Sequence, residues 1–157
     1  MAKKFESTER FLKPDVKYSS RLAGKFINCL MSQGKKSTAE RNFYRSLEVI
    51  EKRVSDVTPL EVFEKAVDHV KPEIEVRPRR VGGATYQVPV PVTPKRQLSL
   101  AIRWILAACH KRSGKAMSLL LADELIAAYN REGSAMTVRE NIHRMAEANK
   151  AFAHFAW

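Results

Sequence analysis

Three arginines, Arg77, Arg79 and Arg80, stand just before a Gly82-Gly83 pair in the segment 73–92. Guanidinium groups pair bidentately with phosphate, and glycines let a backbone approach a sugar-phosphate chain closely, so this cluster suits contact with folded RNA. A solvated basic face is the plainer alternative. Lys95 and Arg96 follow Thr93-Pro94, in what the spacing makes the first turn of a helix. Cations are disfavoured there by the helix dipole unless an anion is close. Phosphate would resolve that conflict, with the helix N–H groups as further donors, while tolerated surface charge is the other reading.

Lys35 and Lys36, the run Lys111, Arg112 and Lys115, and an amino-terminal tail over residues 1–15 with Lys3, Lys4, Arg10 and Lys13 extend the pattern. If the helix ends that carry them converge, they form one phosphate-tracking surface whose affinity falls steeply with salt. A carboxy-terminal tail over 148–157 brings Asn149, Phe152, Phe155 and Trp157 together, with Lys150 and His154 between them. Its aromatics can stack on bases, dock a neighbour or fold back onto their own domain.

Catalytic chemistry has no comparable footing. No nucleophile with its base, paired carboxylate, phosphate loop or metal-ligand cluster shows useful spacing. Asp123 and Glu124 are adjacent on a helix and so face differently, Cys109-His110 shares that fault, and His143 and His154 are eleven residues apart. The expectation is no catalytic site, no metal and no cofactor.

The net charge of +11, from 28 Lys and Arg against 17 Asp and Glu, calls for a polyanionic partner: nucleic acid, an acidic membrane surface or an acidic protein. Residues 71–115 carry ten basic and two acidic side chains, so most of the excess sits in one segment. A length of 157 residues with 45% hydrophobic content predicts one folded domain across 1–157. Cys29 and Cys109 fall in apolar helical stretches and read as reduced core thiols. Neither a leader nor an apolar run of membrane-spanning length is present, so the reading is a cytosolic protein with no membrane partner.

The elements that must position these groups are mainly helices. Ser37/Glu40, Thr58/Glu61 and Thr137/Glu140 have capping-box spacing, and Pro59 and Pro94 suit the first helical position. Apolar residues recur at helical spacing in Leu22, Phe26, Leu30; Phe43, Leu47, Ile50, Val54; Leu60, Phe63, Val67, Val70; Leu98, Ile102, Ile105, Cys109; Leu121, Leu125, Ala128; and Val138, Ile142, Met145. That makes six helices. Alternation on both sides of Gly82-Gly83 predicts a β-hairpin, and Pro78, Pro89 and Pro91 keep both strands out of the middle of a sheet. The predicted fold is a mainly α, six-helix single domain with an isolated, protruding two-stranded β-hairpin arm, mobile in the free protein.

The run Arg77-Pro-Arg-Arg-Val-Gly-Gly-Ala-Thr-Tyr-Gln-Val-Pro89, with Met145-Ala-Glu-Ala-Asn-Lys-Ala-Phe-Ala-His-Phe155, closely resembles the bacterial type of the small-subunit ribosomal protein seven family. Gly34-Lys-Lys-Ser-Thr-Ala-Glu40 resembles that family's amino-terminal signature, and the likeness runs from residue 12 to the end. Asn42 and Pro91 depart from the family pattern, which commonly has an aliphatic and an acidic residue there.

The resemblance implies a non-catalytic constituent of the small subunit, on cytoplasmic ribosomes. It implies binding to the 3′ major domain of the ribosomal RNA, nucleating assembly of the subunit head. RNA binding is then expected at Lys35, Lys36, Arg77, Arg79, Arg80, Lys95, Arg96, Lys111, Arg112 and Lys115. The arm tip at Gly82 and Gly83, and Arg144, Asn149 and Lys150, would border the exit site near transfer RNA and messenger RNA. Tyr86, Phe152, Phe155 and Trp157 are candidates for stacking or partner contact, with small-subunit proteins nine and eleven as implied neighbours. From the residues alone, a DNA-binding helical regulator and a small RNA-processing enzyme remain as alternatives.

Overall fold

The computed structural model describes residues 11–155. The elements run in the order α1 (Arg21–Leu30), α2 (Lys36–Arg53), α3 (Pro59–Val70), β1 (Ile74–Val81), β2 (Ala84–Pro91), α4 (Pro94–Lys111), α5 (Met117–Tyr129) and α6 (Ser134–Ala148), followed by a 3-10 helix over Lys150–Phe155. Six α-helices and a hairpin arm agree with the sequence reading. The 3-10 helix is an addition to it.

Of the three capping-box sites, one caps its helix, through the threonine half of the box. The Glu61 N–H donates to Thr58 Oγ1 at 3.3 Å with Pro59 in the first turn, an arrangement worth about 1 kcal/mol. At α2 the cap residue is Lys35 and Ser37 already lies inside the helix. At α6 the cap residue is Gly133, with φ +95°, and Thr137 instead donates its hydroxyl back to the Gly133 carbonyl at 3.0 Å. Thr93 and Pro94 do begin α4, though without a side-chain cap bond. Ser20, which the spacing does not single out, caps α1 by accepting from the Ala23 N–H at 3.4 Å.

α5 is apolar on most sides, as a central helix must be, and touches α2, α3, α4 and α6. Around it a single buried cluster draws residues from all six α-helices. Phe63 anchors its lower part, meeting Phe26 and Phe43 edge-on, each at 5.2 Å between ring centroids. Cys109 is a core thiol as expected; burial and the nearby Glu124 push it up to about 12. Cys29 is not in the core: it is exposed on α1. No helix of the described residues is long and apolar enough to cross a membrane.

The ribbon pairs Ile74 with Pro91 through Val81 with Ala84, and the Val92 N–H to Glu73 carbonyl bond of 3.0 Å continues the ladder. Gly82 and Gly83 close it with φ +59° and +88°, the two positive angles that a tight two-residue hairpin turn requires. Among the described residues the ribbon gains no third strand, yet it is not isolated. β1 touches α6, β2 touches the 3-10 helix, and Val88 is fully buried.

Upstream of α1, Asp15 is buried and accepts from the Tyr18 N–H at 3.0 Å and the Tyr44 hydroxyl at 2.5 Å. Burial and that bond push the Tyr44 hydroxyl up to about 12. This segment passes so close to α1 that a Cβ on Gly24 would stand 2.6 Å from the Lys13 carbonyl oxygen. Lys13 is thereby held against the domain.

Candidate nucleic-acid interface

At the arm, the register separates the three arginines. Arg77 and Arg79 share a face with their partners Val88 and Tyr86, while Arg80 lies on the opposite face beside Thr85. Arg77 forms an ion pair with Glu75, whose side chain is 9% exposed. Arg96, from the first turn of α4, donates its Nε–H to the same carboxylate at 2.7 and 2.9 Å. The anion that α4 needs beside its leading cations is therefore supplied from within the chain. Phosphate is not required to explain Arg96, contrary to the sequence argument. Lys95 is exposed beside this junction, and Arg80, Gly82 and Gly83 are exposed at the far end of the arm.

The far end of α4 repeats the device with other residues. Arg112 Nη2 lies 2.9 Å from Oε2 of Glu124, off the line of a hydrogen bond, and Oε1 accepts the Ala135 N–H at 2.8 Å. Asp123, on the outer side of α5, faces Arg53 at 2.5 Å and Lys115 at 3.5 Å. Burial works to raise the Asp123 carboxyl, but these two cations outweigh it and hold it below its ordinary value. Arg112 and Lys115 thus have structural duties, while Lys111 is exposed.

The basic clusters converge in part. Lys35 shares a shallow groove with His110 and Met117, and Lys36, which pairs with Glu40 at 3.8 Å, shares the next one with Lys13. The amino-terminal segment, the α1–α2 loop and the α4–α5 loop therefore meet at one end of α4, and the arm stands at the other. Between them Lys25 and Arg103 face each other across an α1–α4 groove floored by Ile102 and Leu106. Sequence reasoning missed both, because each is a solitary cation on the flank of an apolar stripe. Only the juxtaposition of two helices makes them a pair. Asn42 is half-buried on the Lys35 groove, outside the hydrophobic core.

The carboxy-terminal residues gather at the arm. Tyr86 packs against Phe152 and Phe155 at centroid distances of 5.1 and 5.4 Å, so these rings fold back on their own chain. Asn149 uses its Nδ2 to donate to the Met145 carbonyl at 2.8 Å, ending α6, whereas Arg144 and Lys150 are exposed. α6 also grips the start of β1: Arg139 donates to the Lys71 carbonyl at 3.1 Å and His143 Nε2 accepts the Glu73 N–H at 3.2 Å. Burial and the Arg139 charge outweigh Glu73 and lower the His143 pKa. Lys3, Lys4, Arg10 and Trp157 lie outside the described residues. Among the described residues no group of His, Cys, Asp and Glu could hold a metal ion.

Residues 2–150 match the family model described as ribosomal protein S7p/S5e. The chain is 62% identical over 144 residues to the small ribosomal subunit protein uS7 of Rhodopirellula baltica, covering 91% of this chain and 92% of that protein. Proteins of the same name from Nitratidesulfovibrio vulgaris and Thioalkalivibrio sulfidiphilus are each 53% identical over the full length of both chains. With a basic surface strung along α4 and a family match over nearly its whole length, the chain belongs to the ribosomal protein S7p/S5e family, as a protein of the small ribosomal subunit.

Proposed function

We propose that the chain, acting as one RNA-binding unit across 1–157, binds the 3′ major domain of small-subunit ribosomal RNA and nucleates assembly of the subunit head. The observation that carries this reading is the gathering of accessible cations at both ends of α4. Lys13, Lys35, Lys36 and Lys111 form the loop-end contact, and Lys95, Arg80, the half-buried Arg79 and the glycine tip form the arm-end contact. Such an array grips phosphates on two strands of a folded RNA and reads shape more than base identity. The arm tip and the exposed Arg144 and Lys150 would face the exit site, with transfer RNA and messenger RNA nearby. Small-subunit proteins nine and eleven are the proposed protein neighbours.

The test is titration of a 3′-domain RNA fragment, against duplex DNA of equal length, across a salt series. Wild type should prefer the RNA. Arg79/Arg80→Ala should lose much of that preference, and Lys35/Lys36/Lys111→Ala should flatten the salt dependence by about 0.7–0.9 in log–log slope for each phosphate no longer neutralised. Equal affinity for both nucleic acids in wild type would sink the reading and restore a DNA-binding or purely charge-driven one.

A further inference from the structure

Glu75 is an unexpected residue to find inside a two-stranded ribbon. It is 7% exposed, while its neighbour Ile74 is 39% exposed, so the strand buries its acid and shows its aliphatic. A carboxylate removed from water is costly unless cations and hydrogen bonds surround it. Here both come from arginines of two separate elements, Arg77 from β1 and Arg96 from α4. Their side chains remain 46% and 48% exposed. Two guanidiniums carry ten N–H donors between them, more than one carboxylate can accept.

We infer that Glu75 is a positioning residue of the RNA interface, fixing Arg77 and Arg96 as one rigid pair and setting the arm against α4. This rests on the RNA-binding reading above. Two long side chains that would otherwise sample many rotamers are ordered before RNA arrives, so less conformational entropy is lost on binding. The same carboxylate cancels one positive charge where the arm meets α4. Shape-specific RNA gains from the ordered pair, while nucleic acid attracted by charge alone is held less tightly. Glu75 therefore widens the gap between specific and non-specific binding from both sides.

That double effect gives a distinctive test. In the full chain, Glu75→Gln keeps the size of the side chain and removes its charge. Affinity for the 3′-domain RNA fragment should fall about tenfold, or roughly 1.4 kcal/mol. Affinity for duplex DNA should rise at low salt, with a log–log salt slope steeper by up to about 0.9. Glu75→Asp, too short to reach both arginines, should weaken RNA binding without strengthening DNA binding. In an Arg77→Gln/Arg96→Gln background, Glu75→Gln should cost no further RNA affinity. A fall with both ligands would mark a damaged fold, a rise with both would mark charge alone, and either overturns the inference, as would no change. If wild type itself shows no RNA preference, the RNA-binding reading fails first and is identified as the cause.

Discussion

The two ends of α4 each join an arginine to a buried glutamate, and the two glutamates serve opposite purposes. At the loop end Glu124 is fully buried, and Oε1 takes the Ala135 N–H where α6 begins. Gly133 lies so close that a Cβ there would stand 3.1 Å from Oε1. Arg112 covers that carboxylate from outside, so the arginine serves the acid and the acid serves the fold. At the arm end the acid serves the arginines, which are drawn from two elements and stay half-exposed. Similar chemistry in a core and at a rim thus gives a structural joint in one place and, on the proposed reading, a pre-ordered binding surface in the other.

The largest effect expected from this contrast is on stability. Glu124→Ala orphans the Ala135 N–H and opens a cavity, and should cost about 3 kcal/mol or more in denaturant unfolding. Arg112→Ala, which leaves Glu124 buried with one hydrogen-bonded oxygen, should cost about 2 kcal/mol. Arg96→Ala should cost only about 1 kcal/mol, because Arg77 still covers Glu75. Equal losses for Arg112→Ala and Arg96→Ala would break the comparison.

A smaller effect belongs to the aromatic seam. Tyr86→Ala removes the ring contacts with Phe152 and Phe155, worth about 1 kcal/mol beyond area. Amide exchange in 74–91 should then accelerate, while the α5 core is unchanged. In wild type, exchange should be slower at the α6-gripped base than at Gly82-Gly83; strong protection across all of 73–92 would refute an arm that is mobile in the free protein.

The smallest effect is pH dependence at the arm base. His143 accepts the Glu73 N–H through Nε2, which a proton would block, and its pKa is lowered from the ordinary 6.5. As pH falls, the unfolded chain therefore takes up this proton first. The stabilisation is complete above pH 6.5 and is lost as pH drops through the folded-state value. Arg139 opposes the proton, and Glu73 favours it; Glu147 and Lys150 line the same groove. The protection factor of the Glu73 amide, its exchange rate relative to the intrinsic rate at the same pH, should fall between about pH 8 and about pH 5 in wild type and stay level in His143→Gln.

Local chemistry was legible in the sequence, and tertiary chemistry was not. The α3 start could be read because Thr58, Pro59 and Glu61 settle it among themselves. The α6 start could not, since its partner is Glu124, eleven residues from Ala135 on the preceding helix. The conflict at Lys95 and Arg96 was visible, but its resolution lay twenty-one residues upstream of Arg96, in a strand where alternation assigns the acid to the outside. Likewise the amino-terminal, Lys35 and Lys111 clusters were each apparent, while Lys25 and Arg103 become neighbours only when α1 lies along α4.

The length of α4 has a consequence of its own. Its eighteen residues make a stiff rod of about 27 Å, with an arginine bolted to a carboxylate at each tip. On the proposed reading the helix works as a pair of calipers. A loose strand can wrap onto scattered charges one at a time, but both jaws close only on an RNA whose own folding has already set two phosphate runs at that span. The protein would then gauge whether a junction is correctly formed, reading a distance where other RNA binders read a base.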